Sequence, residues 1–86
     1  MKPGRLLLRL LSGAVTNVDF SDTQLLLGAL GFEEVRITGS HHIYVRVDIP
    51  EQLNLQNRRG QAKPYQLRQL TALVERYNLT VEEENN

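Results

Sequence analysis

The sequence predicts an α+β sandwich: a three-stranded antiparallel sheet with helices on one face, plus an extra helix at the N-terminus. Three features carry that expectation. Residues 33–38, 41–47 and 52–57 alternate apolar and polar side chains, the period of β-strands. Helical patterns lie outside this block, two before it and one after, so strands and helices are segregated rather than interleaved. The chain has 86 residues, 41% hydrophobic and 23% charged, which suits one ordinary globular domain with a modest core.

Residues 3–12 read as a short helix opened by Pro3 and closed near Gly13. Its leucines form a face that packs on the domain or meets a partner. Arg9 interrupts them, so the run is too short to span a membrane, and no signal-peptide cleavage pattern follows. The second helix begins near Ser21, where Ser21 and Gln24 match a capping box and Phe20 with Leu25 a hydrophobic staple. Leu25, Leu26, Ala29 and Leu30 give its apolar face, and Gly31 with Phe32 over Leu27 suits a Schellman ending. Two strands then form a hairpin through Gly39-Ser40. Residues 48–51 read as a loop around Pro50, and Leu53 and Leu55 mark one face of the third strand. Arg58-Arg59-Gly60-Gln61-Ala62 reads as a basic, flexible connection. The last helix runs from Pro64 to Tyr77, with Leu67, Leu70, Leu73, Val74 and Tyr77 as its buried stripe. The expected organisation is one domain over residues 1–79, its core at 20–79, followed by an acidic flexible tail at 80–86.

There is no cysteine, which excludes disulfides, Cys-based zinc sites and thiol catalysis. That fits a reducing compartment, and the cytoplasm is the expected location. Net charge is zero, but its distribution is uneven. Between residues 36 and 68, Arg36, Arg46, Arg58, Arg59, Lys63 and Arg68 face only Asp48 and Glu51, while the tail carries Glu82, Glu83 and Glu84. A basic centre of this kind can hold a polyanion.

Both histidines stand in Gly39-Ser40-His41-His42-Ile43-Tyr44, just after the turn. Histidine is the side chain suited to proton transfer near neutral pH. Neighbours on a strand point to opposite faces, so one histidine can meet a substrate while the other packs. For the same reason the two cannot share a metal ion, and no third ligand lies near them in sequence. The pattern alone leaves open which one faces out, because Ile43 and Val45 are more apolar than His42, Tyr44 and Arg46.

Set beside Leu53-Asn54-Leu55-Gln56 and Ala62-Lys63-Pro64-Tyr65-Gln66-Leu67-Arg68, this motif resembles the HicA (YcfA-like) family over roughly residues 20–79. Its members are toxins of type II toxin–antitoxin pairs that act as messenger-RNA endoribonucleases. The resemblance implies a fold like a double-stranded-RNA-binding domain, helix–three strands–helix. It implies that His41, directly after Gly-Ser, is the catalytic histidine. It also puts Tyr44 inside, hence His42 inside and His41 on the open face. A HicB-like antitoxin is the implied protein partner and mRNA the implied substrate, with no cofactor or metal. Many relatives read His-Pro where this chain has Arg46-Val47, and such toxins are often more basic than this one.

RNA supplies its own nucleophile, the 2′-hydroxyl, so a metal-independent ribonuclease needs a base, an acid and charge beside the phosphate. His41 is the expected acid/base, and Ser40, Arg46, Lys63 and Arg68 are the candidates for holding RNA. Three function classes follow: a ribonuclease toxin; an RNA-binding relative with weak or no cleavage; and a protein-interaction module that uses the leucines of residues 5–11.

Overall fold

In chain order the elements are α1 (Pro3–Leu11), α2 (Phe20–Ala29), β1 (Glu33–Thr38), β2 (His41–Arg46), β3 (Ile49–Arg58), β4 (Gln61–Ala62) and α3 (Pro64–Tyr77). They come from a computed structural model that describes residues 1–82. The sheet is antiparallel throughout, in the order β1-β2-β3-β4. One contiguous core joins Leu6, Leu7 and Leu10 of α1, Phe20, Leu26 and Leu27 of α2, and Leu67, Leu70, Leu73 and Val74 of α3 to Tyr44, Leu53, Leu55 and Ala62 of the sheet. α2 and α3 therefore cover one sheet face, and α1 packs on those two helices.

The sheet has four strands where three were expected. β4 is only two residues long, and pairing creates it: Asn57 and Arg58 face Ala62 and Gln61 across a two-residue turn. Arg59 and Gly60 both take positive φ, 54° and 85°, the pattern of a type I′ hairpin. The basic stretch is thus a tight turn. Asp19 bridges to Gln61, Val18 accepts a bond from the Ala62 N–H, and Phe20 donates to Gly60. These bonds tie the entry of α2 to the hairpin.

They also account for a second difference. α2 starts at Phe20 after Asp19, with no side-chain cap, so the Ser21–Gln24 capping box does not form. The Gln24 amide is used elsewhere, donating to the Tyr44 hydroxyl at 3.1 Å and to Glu34 at 3.4 Å. The inward face of α2 is Phe20, Thr23, Leu26 and Leu27, while Leu25 is 61% exposed. Thr23 is buried because its hydroxyl is satisfied by the Asp19 carbonyl at 2.9 Å. The C-terminal end does form the Schellman pair: Phe32 N–H to Leu27 O at 2.9 Å and Gly31 N–H to Gly28 O at 3.0 Å, with Gly31 at φ 89°.

β3 begins at Ile49, not Gln52. Pro50 is tolerated because the β2–β3 register shifts between Tyr44 and Arg46, where ladder bonds are interrupted. α3 starts and stops at Pro64 and Tyr77, and Asn78 closes it in the left-handed region at φ 52°. The chain stays docked through residue 82: Leu79 is buried, Val81 packs on the core, and the Glu82 N–H reaches the Ala29 carbonyl at 2.9 Å. The rest of the expected acidic tail, residues 83–86, lies outside the described residues. Among the described residues no helix is long and apolar enough to cross a membrane.

Candidate functional site on the open sheet face

The Gly39-Ser40 turn joins Thr38 to His41, its paired strand partner. Gly39 takes φ 59° and Ser40 does not go positive, the pattern of a type II′ turn that needs glycine first. The turn sets His41 as the first residue of β2. His42, Tyr44 and Arg46 then point to the helical layer. The His42 ring lies 4.7 Å from that of Phe20 and its Nδ1 2.8 Å from a Glu34 oxygen. That hydrogen bond, ahead of the opposing effect of burial, holds the Glu34 carboxyl below the usual range. Burial pushes the Tyr44 phenol up to about 12.

His41 consequently lies on the opposite face. Its register neighbours there are Thr38 on β1 and Gln56 on β3. One step along, Arg36, Ile43 and Asn54 form the next cross-strand row. Ile43 is 9% exposed and outside the main core, so it gives this face an apolar floor. The His41 Nδ1 lies 3.0 Å from the Asn54 side-chain oxygen. Strand parity puts Arg58 on the same face, two residues past Gln56. Arg36 and Arg58 make no ion pair among the described residues.

The other residues singled out in the sequence divide. Ser40 adjoins His41, and its carbonyl accepts the Asn57 N–H at 2.9 Å. Lys63 precedes α3, and its carbonyl accepts the N–H groups of Gln66 and Leu67. Gln66 is buried and accepts the Gln56 N–H at 2.6 Å, so the first turn of α3 abuts the strand residue paired with His41. Arg68 is exposed on the next turn of α3. Arg46 is not part of this group. Its guanidinium crosses Gly31, donates to the Leu30 carbonyl at 2.9 Å and pairs with Asp48 at 2.9 Å, all away from the His41 face.

Charge alone groups Arg36 and Arg58 with four other basic residues without placing them beside His41, and it gives no signal for Asn54. Period-two parity combined with hairpin register is the signal that finds them. Among the described residues, no three His, Asp or Glu side chains are grouped to hold a metal ion. A groove of about 380 Å³ lies between β3 and α3, lined by Glu51, Gln52, Leu53, Gln69, Leu73 and Arg76 among others. None of the sequence candidates lines it, and Glu51 is already engaged by Arg76 at 2.8 Å and Tyr77 at 2.6 Å.

What the open face can do is defined by its groups: an imidazole held at one nitrogen, neighbouring amides, and arginines on either side. That combination suits proton transfer beside an anion. Comparison with known families matches residues 20–74 to the HicA toxin of bacterial toxin–antitoxin pairs. The match takes in α2, the whole sheet and most of α3, and leaves α1 outside. Comparison with curated proteins and with solved structures finds no match.

Proposed function

The chain belongs to the HicA toxin family of bacterial toxin–antitoxin systems, and from that membership we propose that it is a metal-independent endoribonuclease of messenger RNA with His41 as its acid/base group. The observation that carries the reading is the exposed-face position of His41, with Nδ1 bonded to Asn54 and Nε2 left for a substrate. Its neighbour His42 is packed on Phe20 and bonded to Glu34, which suits a structural role.

In the proposed reaction His41 Nε2 takes the 2′-hydroxyl proton as that oxygen attacks the adjacent phosphorus. The P–O5′ bond breaks, leaving a 2′,3′-cyclic phosphate. The departing 5′-oxygen takes up a proton delivered through solvent. Charge builds on the phosphorane, and fixed cations stabilise it. Arg36 and Arg58 share the face with His41, Ser40 adjoins His41 in the chain, and Lys63 stands at the start of α3. With the two-residue β4 set aside, the order α2-β1-β2-β3-α3 resembles that of a double-stranded-RNA-binding domain, which supports an RNA substrate.

Family membership implies an antitoxin, and a HicB-like protein covering the open face is the proposed form of it, with the cytoplasm as the place of action. The interaction-module alternative keeps only part of its leucine face, because Leu6, Leu7 and Leu10 of α1 are spent in the core while Leu8 and Leu11 stay exposed. The weak-enzyme alternative rests on Arg46 standing where many relatives have histidine and on the zero net charge; Arg46 itself serves the end of α2.

Induced expression of the wild type beside His41→Ala in a bacterial host, with RNA cleavage by the purified proteins, tests the reading. Growth arrest and cleavage should both disappear in His41→Ala while the fold survives. Full residual activity in a folded variant overturns the assignment.

A further inference from the structure

The geometry points to Asn54 as the positioning residue of the site: its side-chain oxygen fixes His41 in the Nδ1–H tautomer and aims Nε2 at the substrate. This rests on the reading of His41 as the acid/base group.

The placement follows from the strand. Leu53 and Leu55 enter the core, so Asn54 between them must face out. Asn54 is paired with Ile43 and stands diagonal to His41, which is paired with Gln56. Diagonal neighbours are within reach of long or ring side chains, and here the gap closes to 3.0 Å. A carboxamide oxygen can only accept a hydrogen bond. With that oxygen as the facing atom, His41 Nδ1 carries the hydrogen, and in the neutral ring the lone pair is on Nε2. When the ring is protonated, Nδ1 still donates and the contact survives. Asn54 thus holds one ring orientation through both halves of a proton-transfer cycle.

The partner is also chemically distinct from that of the adjacent histidine. His42 is bonded to a carboxylate, Glu34, whereas His41 is held by a neutral amide. An amide orients a base without adding negative charge beside it. The charged groups sharing the open face are Glu33 and Arg36 on β1 and Arg58 on β3, by register. None of these changes when Asn54 is replaced.

The test uses the full chain in three forms: wild type, Asn54→Ala and Asn54→Asp. Asn54 is exposed, and thermal unfolding by circular dichroism checks that each variant folds. Imidazole ¹⁵N NMR reads the tautomer without any RNA. Wild-type His41 should show a protonated Nδ1 and an unprotonated Nε2, and Asn54→Ala should show a mixture. In cleavage assays Asn54→Ala should lower kcat by roughly tenfold to a hundredfold, a fraction of what general acid–base catalysis supplies, with KM little changed. Asn54→Asp should restore the tautomer and move the acid limb of the pH–rate profile to higher pH, because a carboxylate favours the protonated ring. A wild-type His41 found as the Nε2–H tautomer overturns the inference. So does an Asn54→Ala protein with wild-type kcat and an unchanged spectrum. A folded wild type that cleaves no RNA overturns the ribonuclease reading instead, and the NMR arm still decides whether Asn54 sets the tautomer.

Discussion

Two adjacent histidines are given different surroundings by one peptide unit. His41 and His42 differ in which sheet face they meet, and everything else follows from that. His42 is 16% exposed in its side chain and shares a network with Glu34, Tyr44 and Gln24. The Glu34 carboxyl titrates below its usual range, chiefly because of the His42 hydrogen bond. A carboxyl lowered on folding contributes stability that is full above its unfolded pKa and is lost as pH falls through the folded value. Glu34 should therefore add to the acid-side loss of stability. Glu34→Gln should flatten that part of a melting-temperature-against-pH curve, below about pH 4.5. An acid limb identical to the wild type would mean that Glu34 is not coupled to folding. The sequence shows that the two histidines must diverge. It cannot show which turns inward, since Ile43 and Val45 are the more apolar set, and only Tyr44 docking on α2 decides.

The ends of the helices show where local sequence suffices and where tertiary pairing takes over. α3 is legible throughout, because Pro64 can only open a helix and the leucine stripe repeats at helical spacing. The end of α2 is legible because Gly31 is suited to φ 89°. The start of α2 is not, because its first N–H is taken by Gly60, some forty residues further on. β4 is illegible for the same reason: two residues carry no periodicity, and only β3 and Asp19 make them a strand. Arg46 belongs to this class of long-range helix endings. It caps the carbonyl of Leu30 with a charged donor at 2.9 Å, where a cation also suits the negative end of the helix. Its side chain is 27% exposed, so solvent weakens but does not erase the bond. Arg46→Ala should cost about 1–2 kcal/mol in urea unfolding, the range for a hydrogen bond to a charged group less its screening, with cleavage changed less than stability. Arg46→His should raise single-turnover cleavage by less than tenfold. A larger gain, about 1.4 kcal/mol of barrier, would place position 46 in the active site and make this chain a weakened enzyme.

The molecule as a whole has one face spent and one face available. All three helices, including α1 from outside the family match, bury their apolar sides on the same side of the sheet. Each leucine so buried contributes on the order of 2 kcal/mol, so the helical layer cannot be lifted to admit a partner without unfolding the domain. The open face carries His41 over Ile43, with arginines on β1 and β3. An antitoxin that silences the protein by contact should therefore cover this face, and acidic groups on the partner would complement Arg36 and Arg58. The two histidines provide a control within one chain. Diethyl pyrocarbonate should label His41 readily in the free protein and His42 slowly, because the His42 ring is stacked on Phe20 and bonded to Glu34. In the co-purified complex, mass spectrometry should find His41 labelling reduced at least tenfold, about 1.4 kcal/mol of protection, with the slow His42 rate little changed. Equal His41 labelling in the free and bound forms would rule out direct occlusion and require inhibition from the helical side. A parallel rise in His42 labelling on binding would show that the antitoxin loosens the core rather than covering the site.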